Sequence, residues 1–181
     1  MDMIEKVTAT KYHFKGRVIN TRVDDVLLPD GSLSTREIVE HNGGVGIIAL
    51  TDDNQICLVR QYRHPYGEVI YEIPAGKLEI GEEPISCGRR ELKEEAGYTA
   101  SDWRDLGVVY PTPGYCAEKI YLFLATHLTL GETQLDEGEF VESITLPLEK
   151  AVQMVLSGEI RDAKTQIAIL KLSALKEANE L

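Results

Sequence analysis

Cysteine is scarce in this chain. Only Cys57, Cys87 and Cys116 occur among 181 residues, too widely spaced for a zinc site or a disulfide framework, so they read as reduced, structural thiols. Long apolar runs are missing as well. The longest, Val45 to Leu50, has strand length and falls far short of the roughly 18–20 residues that span a bilayer. The opening Met1-Asp2-Met3-Ile4-Glu5-Lys6 has neither the basic nor the apolar region of a secretory leader. Together these deficits predict a cytoplasmic protein with no membrane association. Positive charge is also in short supply: 19 Lys and Arg stand against 30 Asp and Glu, a formal charge of −11. Such a field repels nucleic acid and anionic membranes, so neither is an expected partner. An anionic ligand would need local cations or a metal ion to offset it.

What is present is a chain 43% hydrophobic, enough for one domain with a sizeable core and a small appendage. Residues 7–41 read as strands: Val18 to Leu28 is β-branched and apolar, Pro29-Asp30-Gly31 supplies a turn, and Ser34 to Glu40 returns. Residues 45–50 form a buried strand, followed by strands over Gln55–Tyr62 and Glu68–Ile73. Helical spacing begins after Gly81. Pro84 suits a first turn, Ile85, Gly88, Leu92 and Ala96 share a face, and Gly97 suits the residue past the end. Strands are expected at Asp105–Tyr110 and Lys119–Ala125, then helices at Leu148–Leu156 and Ala163–Ala178. This order predicts an α+β fold rather than a βαβ parallel sheet. Gly44-Val45-Gly46 superficially matches a dinucleotide fingerprint but opens into a strand, not a helix, and is rejected as such a site.

The most informative stretch is Gly76-Lys77-Leu78-Glu79-Ile80-Gly81-Glu82, then Arg90-Glu91-Leu92-Lys93-Glu94-Glu95-Ala96-Gly97-Tyr98. Helical spacing crowds Glu91, Glu94 and Glu95 onto one side, expected to lie opposite the stripe through Leu92 and Ala96. Like charges so placed cost an isolated helix about 0.2–0.5 kcal/mol per pair, which Arg89, Arg90 and Lys93 partly relieve. A solvated face would tolerate the cluster. A cation site would use it, because hard Mg²⁺ takes carboxylate oxygens and bridges to phosphates. Pro74-Ala75-Gly76 places backbone where a ligand can approach closely.

The segment reads G-x5-E-x7-R-E-L-x-E-E-x-G-Y and resembles the Nudix box of the Nudix hydrolase superfamily at every defining position. The resemblance implies a Nudix fold, an α/β/α sandwich around a mixed β-sheet, with the core over residues 44 to 146. An N-terminal antiparallel extension, residues 1–43, precedes the hydrolase domain, residues 44–181. In this family such strands serve dimerisation or exchange between subunits, so a homodimer is implied. It also implies that Glu91 and Glu95 hold Mg²⁺ (or Mn²⁺), with Glu94 as a further ligand and the Ala75 carbonyl as another. Arg90 and Glu82 then orient loop and helix.

Flanking pieces resemble the ADP-ribose pyrophosphatase branch: Arg36-Glu37-Ile38, Val59-Arg60-Gln61-Tyr62-Arg63, Glu72-Ile73-Pro74-Ala75-Gly76, Pro111-Thr112-Pro113-Gly114, Asp136-Glu137-Gly138-Glu139 and Arg161-Asp162-Ala163-Lys164-Thr165. The implied reaction is hydrolysis of ADP-ribose to AMP and ribose 5-phosphate. By the same resemblance Arg63 contacts the diphosphate, as suits a guanidinium. Arg36 and Glu37 meet the adenosine end, Glu118 binds a ribose hydroxyl, and Lys77 lines the substrate. Residues near Arg17 and Val18 correspond loosely to an adenine pocket donated by a partner chain. Glu137 is assigned as the base and Glu139 as an additional metal ligand, with exchange of the two roles left open. Two other readings remain: a Nudix pyrophosphatase for another sugar nucleotide such as GDP-mannose, and a non-catalytic nucleotide-sensing module. Retention of every box carboxylate speaks against the second.

Overall fold

Alternating apolar residues in the N-terminal third build a meander. β1 (Lys6–Lys15), β2 (Ile19–Leu27) and β3 (Leu33–His41) pair antiparallel in the order β1-β2-β3. The computed structural model describes residues 2–135 and 137–181. Between β2 and β3 the chain turns where Gly31 takes a φ of 84°, and Asp30 accepts hydrogen bonds from the Ser32 N–H and hydroxyl. The chain divides into two compact units, and the first joins Met1–Gly43 to Tyr110–Lys119. Its later segment is held by Val39 N–H to the Tyr115 carbonyl at 2.8 Å and Ala117 N–H to the Val39 carbonyl at 2.9 Å.

The second unit, Gly44–Val109 with Ile120–Leu181, carries two sheets and three helices. One sheet runs β7-β4-β9-β8, from β4 (Gly44–Ala49), β7 (Ala75–Lys77), β8 (Tyr98–Val109) and β9 (Ile120–Leu130). It is mixed, because β4 and β9 are parallel while the other pairs are antiparallel. The other is antiparallel, β10-β5-β6, from β5 (Gln55–Arg63), β6 (Glu68–Glu72) and β10 (Val141–Pro147). Strand β4 is buried throughout and its side chains alternate between two apolar clusters. Val45, Ile47 and Ala49 pack with Cys87, Leu92 and Ala96 of α1 (Pro84–Ala96). Ile48 packs with Met154 of α2 (Leu148–Leu156) and with Ile169 and Leu172 of α3 (Ala163–Glu177). This is the expected helix–sheet–helix layering. No helix among the described residues is long and apolar enough to cross a membrane.

Four strands depart from the sequence reading, one of them β9, which runs on to Leu130 past the expected Ala125. β8 begins at Tyr98 rather than Asp105, because its first half is a largely exposed polar stretch without an apolar signature. β7 is only three residues long, and β10 alternates too weakly to announce itself.

The ends of two elements are fixed by one hydroxyl. Asp162 caps α3 by accepting the Thr165 N–H at 2.9 Å, and the Thr165 hydroxyl donates to the same carboxylate at 2.6 Å. That hydroxyl in turn accepts the Ile73 N–H at 2.9 Å, at the end of the strand that leads into Pro74-Ala75-Gly76. Thr165 and Ile73 are both fully buried. Thr165→Val keeps the shape and strands a buried donor, so it should cost about 1–3 kcal/mol. In urea unfolding the midpoint should fall with its slope unchanged; an unmoved midpoint would show that the bridge contributes nothing.

Candidate active site

The acidic helix owes its start to Pro84 in the first turn and its end to Gly97, whose left-handed φ of 71° lets its N–H reach the Lys93 carbonyl. Its face is not as the spacing suggested. Glu91, Glu94 and Glu95 were expected together opposite the apolar stripe, but Glu95 is buried with Leu92, at 6% exposure. Three residues on from Leu92 and seven from Gly88, it borders the stripe rather than opposing it.

Burial shapes the chemistry of Glu95. Its Oε2 accepts the Ala75 N–H at 2.9 Å. Loss of water, joined by the nearby carboxylates Glu91, Glu139 and Glu72, pushes its carboxyl up to about 8, against the pull of the Ala75 N–H. Burial likewise raises Glu91, with Glu94 and Glu139 adding to it and Arg90 opposing. Glu91 lies against the backbone of Gly76: a methyl group at that position would overlap its carboxylate. Only glycine lets the Glu91 carboxylate lie this close to strand β7.

Arg90 gathers the rest. Its Nη1 donates to Glu91 Oε1 at 2.8 Å and Glu94 Oε2 at 3.0 Å, and its Nε to Glu82 Oε1 at 3.3 Å. The Glu79 N–H donates to the other Glu82 oxygen at 3.0 Å, which ties the loop to the helix. Beyond β9 the chain returns past the helix end, where Gly131 N–H donates to the Gly97 carbonyl at 2.7 Å and Gln134 N–H to the Glu94 carbonyl at 3.0 Å. Glu137 and Glu139 are exposed, and Glu139 comes near enough to the acidic helix to raise both Glu91 and Glu95. Asp136, named in the same run, lies outside the described residues.

Among the described residues no three carboxylate, cysteine or histidine side chains close into a metal cage, since Arg90 draws Glu91 and Glu94 onto its own nitrogens. The donor chemistry nevertheless fits a hard divalent cation. Several carboxylates and a backbone segment share one place, and burial together with the neighbouring carboxylates raises Glu95 there.

Arg63, at the end of β5, is gripped by Glu72: Nε to Oε1 at 2.5 Å and Nη2 to Oε2 at 2.8 Å. Glu72 is 1% exposed and also accepts from the Lys164 ammonium. Arg63 lies close enough to Glu95 for the two charges to favour one another. Sequence reasoning gave Glu72 and Lys164 no role of their own. The available signal was a charged residue inside the apolar run Val69 to Pro74. Lys77 sits on β7 with its side chain exposed.

The remaining sequence-assigned residues belong to the first unit. Arg36 forms an ion pair with Glu5 and donates to Ser34 Oγ at 3.1 Å. Glu37 lines a cavity of about 410 Å³ with His13, Arg22, Val23 and Tyr115. Glu118 stands 3.5 Å from His41 Nδ1. Arg17 and Val18 are exposed just before β2.

Comparison with known proteins places these features in context. The sequence pattern of the NUDIX domain matches residues 40–166. An ADP-ribose pyrophosphatase of Bacillus subtilis (strain 168) is 48% identical over 176 residues, covering 96% of this chain and 95% of that protein. A methanol dehydrogenase activator of Bacillus methanolicus is 46% identical over 176 residues, with 96% and 95% covered. Among solved structures, an ADP compounds hydrolase superposes with a TM-score of 0.84 at 21% identity, over 98% of this chain and 97% of that one, a likeness of fold.

Proposed function

The chain belongs to the NUDIX domain family, and from that premise we propose that it hydrolyses the diphosphate of ADP-ribose to AMP and ribose 5-phosphate with the help of Mg²⁺. The observation that carries this reading is the buried Glu95, gathered with Glu91 and Glu139 beside the Ala75 and Gly76 backbone. Likeness over nearly the whole chain to an ADP-ribose pyrophosphatase supports the choice of substrate.

In this reading Glu91, Glu95, Glu139 and the Ala75 carbonyl hold Mg²⁺, or Mn²⁺ in its place, with Glu94 as a further ligand. When bound, the ion supplies charge neutralisation for the phosphates and orients them for attack. Arg63 offers a fixed guanidinium to phosphate oxygens. Water forms the new bond to phosphorus as the bond to the bridging oxygen breaks, and Glu137 takes the proton. Assignment of Glu139 as the ligand and Glu137 as the base is supported by the charge of Glu139, which adds to the raising of Glu91 and Glu95. Lys77 lines the substrate, while Arg36 and Glu37 serve the adenosine end and Glu118 a ribose hydroxyl. A homodimer and a cytoplasmic address complete the proposal; the three cysteines are free, in keeping with a reducing compartment.

The test is a substrate panel with purified protein and Mg²⁺. ADP-ribose should be consumed at least about tenfold faster than GDP-mannose, giving equal amounts of AMP and ribose 5-phosphate, and chelation should stop the reaction. Faster cleavage of GDP-mannose, or tight nucleotide binding with no product, would overturn it.

A further inference from the structure

The Arg63 guanidinium is held in an unusual way for a side chain at a strand end that is 38% exposed. Both contacts to Glu72 use its Nε and Nη2 edge. Among the described residues Nη1 has no protein acceptor, so the edge formed by Nη1 and the second Nη2 hydrogen remains for a ligand. A guanidinium clamped along one edge cannot swing about its long stem, and the remaining edge matches two phosphate oxygens.

Glu72 could have neutralised that arginine, which would defeat its use toward an anion. Here the carboxylate is shared. Lys164, only 10% exposed, donates to Glu72 and stands 3.1 Å from Asp162 Oδ2, so the carboxylate faces two cations. Lys164 lies in the first turn of α3, where Asp162 is committed to the helix cap and to Thr165. The helix end therefore joins the paired strands β5 and β6 in holding the clamp.

Building on the proposed diphosphate hydrolysis, we propose that Glu72 and Lys164 are positioning residues: they orient Arg63 toward the substrate's diphosphate and keep its charge available. They act through Arg63 and do not touch substrate. Their loss therefore weakens recognition of the second phosphate more than it slows the chemical step.

The experiment compares wild type with Glu72→Gln and with Glu72→Gln combined with Lys164→Met, the double variant leaving no unpaired buried cation behind. KM and kcat are measured for ADP-ribose, and calorimetry in the absence of metal compares ADP with AMP. Both variants should raise KM about 10- to 100-fold with kcat within about threefold of wild type. The preference for ADP over AMP should collapse in both, whereas Lys164→Arg alone should keep KM and that preference within about threefold of wild type. Loss of thermal stability with KM and the ADP-to-AMP ratio within about twofold of wild type would leave the pair a merely structural role and overturn the proposal. If wild type prefers ADP and the variants lose that preference, yet ADP-ribose is never cleaved, the clamp stands and the substrate reading falls.

Discussion

Glu95→Gln should lower metal-dependent hydrolysis by at least about 10³-fold and at the same time raise the melting temperature of the metal-free protein. The two effects share a cause. Glu95 is buried among Glu91, Glu139 and Glu72, and holds its proton to about pH 8 against an ordinary value of 4.5. A raised folded-state value means that the native state is favoured while the proton stays on. Below about 4.5 the folded and unfolded chains both carry it, and nothing is lost. As pH climbs from there toward 8 the unfolded chain releases the proton and the folded chain does not, so native stability drains by up to about 1.4 kcal/mol per pH unit. Glutamine keeps the acceptor for the Ala75 N–H and never ionises. Melting curves of chelated protein should therefore fall between pH 5 and 8 for wild type and stay flatter for the variant. Added Mg²⁺ should raise the wild-type curve at pH 8 and leave the variant where it is. A variant that keeps the full rate, or melts lower than wild type at pH 8, would remove Glu95 from the proposed metal set.

Gly76→Ala should cost about 10²-fold or more in kcat with little change in the melting temperature. The reason is local. The added methyl group falls where the Glu91 carboxylate now lies, and the carboxylate is the flexible partner, so it is the carboxylate that moves. Strand β7 stays paired to β4 through the Val45–Gly76 register, and the fold survives. Titration of activity with Mg²⁺ should show a higher concentration for half-maximal rate. Wild-type activity and wild-type metal dependence in the alanine variant would mean that the Glu91 position is immaterial to the reaction.

The parts of this molecule that repeat a period were legible from its residues. β-Branched and apolar residues marked β2, alternation marked β3, and Pro84 and Gly97 bracketed the helix between them. The box motif named the carboxylates, and their neighbours in the chain suggested the substrate. What the chain order could not show was which carboxylates meet across it. Glu72 precedes Lys164 by 92 residues, and its grip on Arg63 with Lys164 depends on how β6 and the helix pack. The burial of Glu95 escaped notice for a related reason: a glutamate bordering an apolar stripe carries the same letter as one in water, and only packing decides between them. Polar strands such as the first half of β8 were lost because their stability comes from pairing with β9, not from an apolar signature of their own.

Because the Thr165 hydroxyl secures the Ile73 amide, the loop that would cradle the phosphates takes its final shape from α3, the last helix of the chain. A ribosome making this protein exposes every box carboxylate well before that helix emerges. On the proposed function, the half-made chain therefore carries its acidic residues before the hydroxyl that fixes their neighbouring loop has been joined to them.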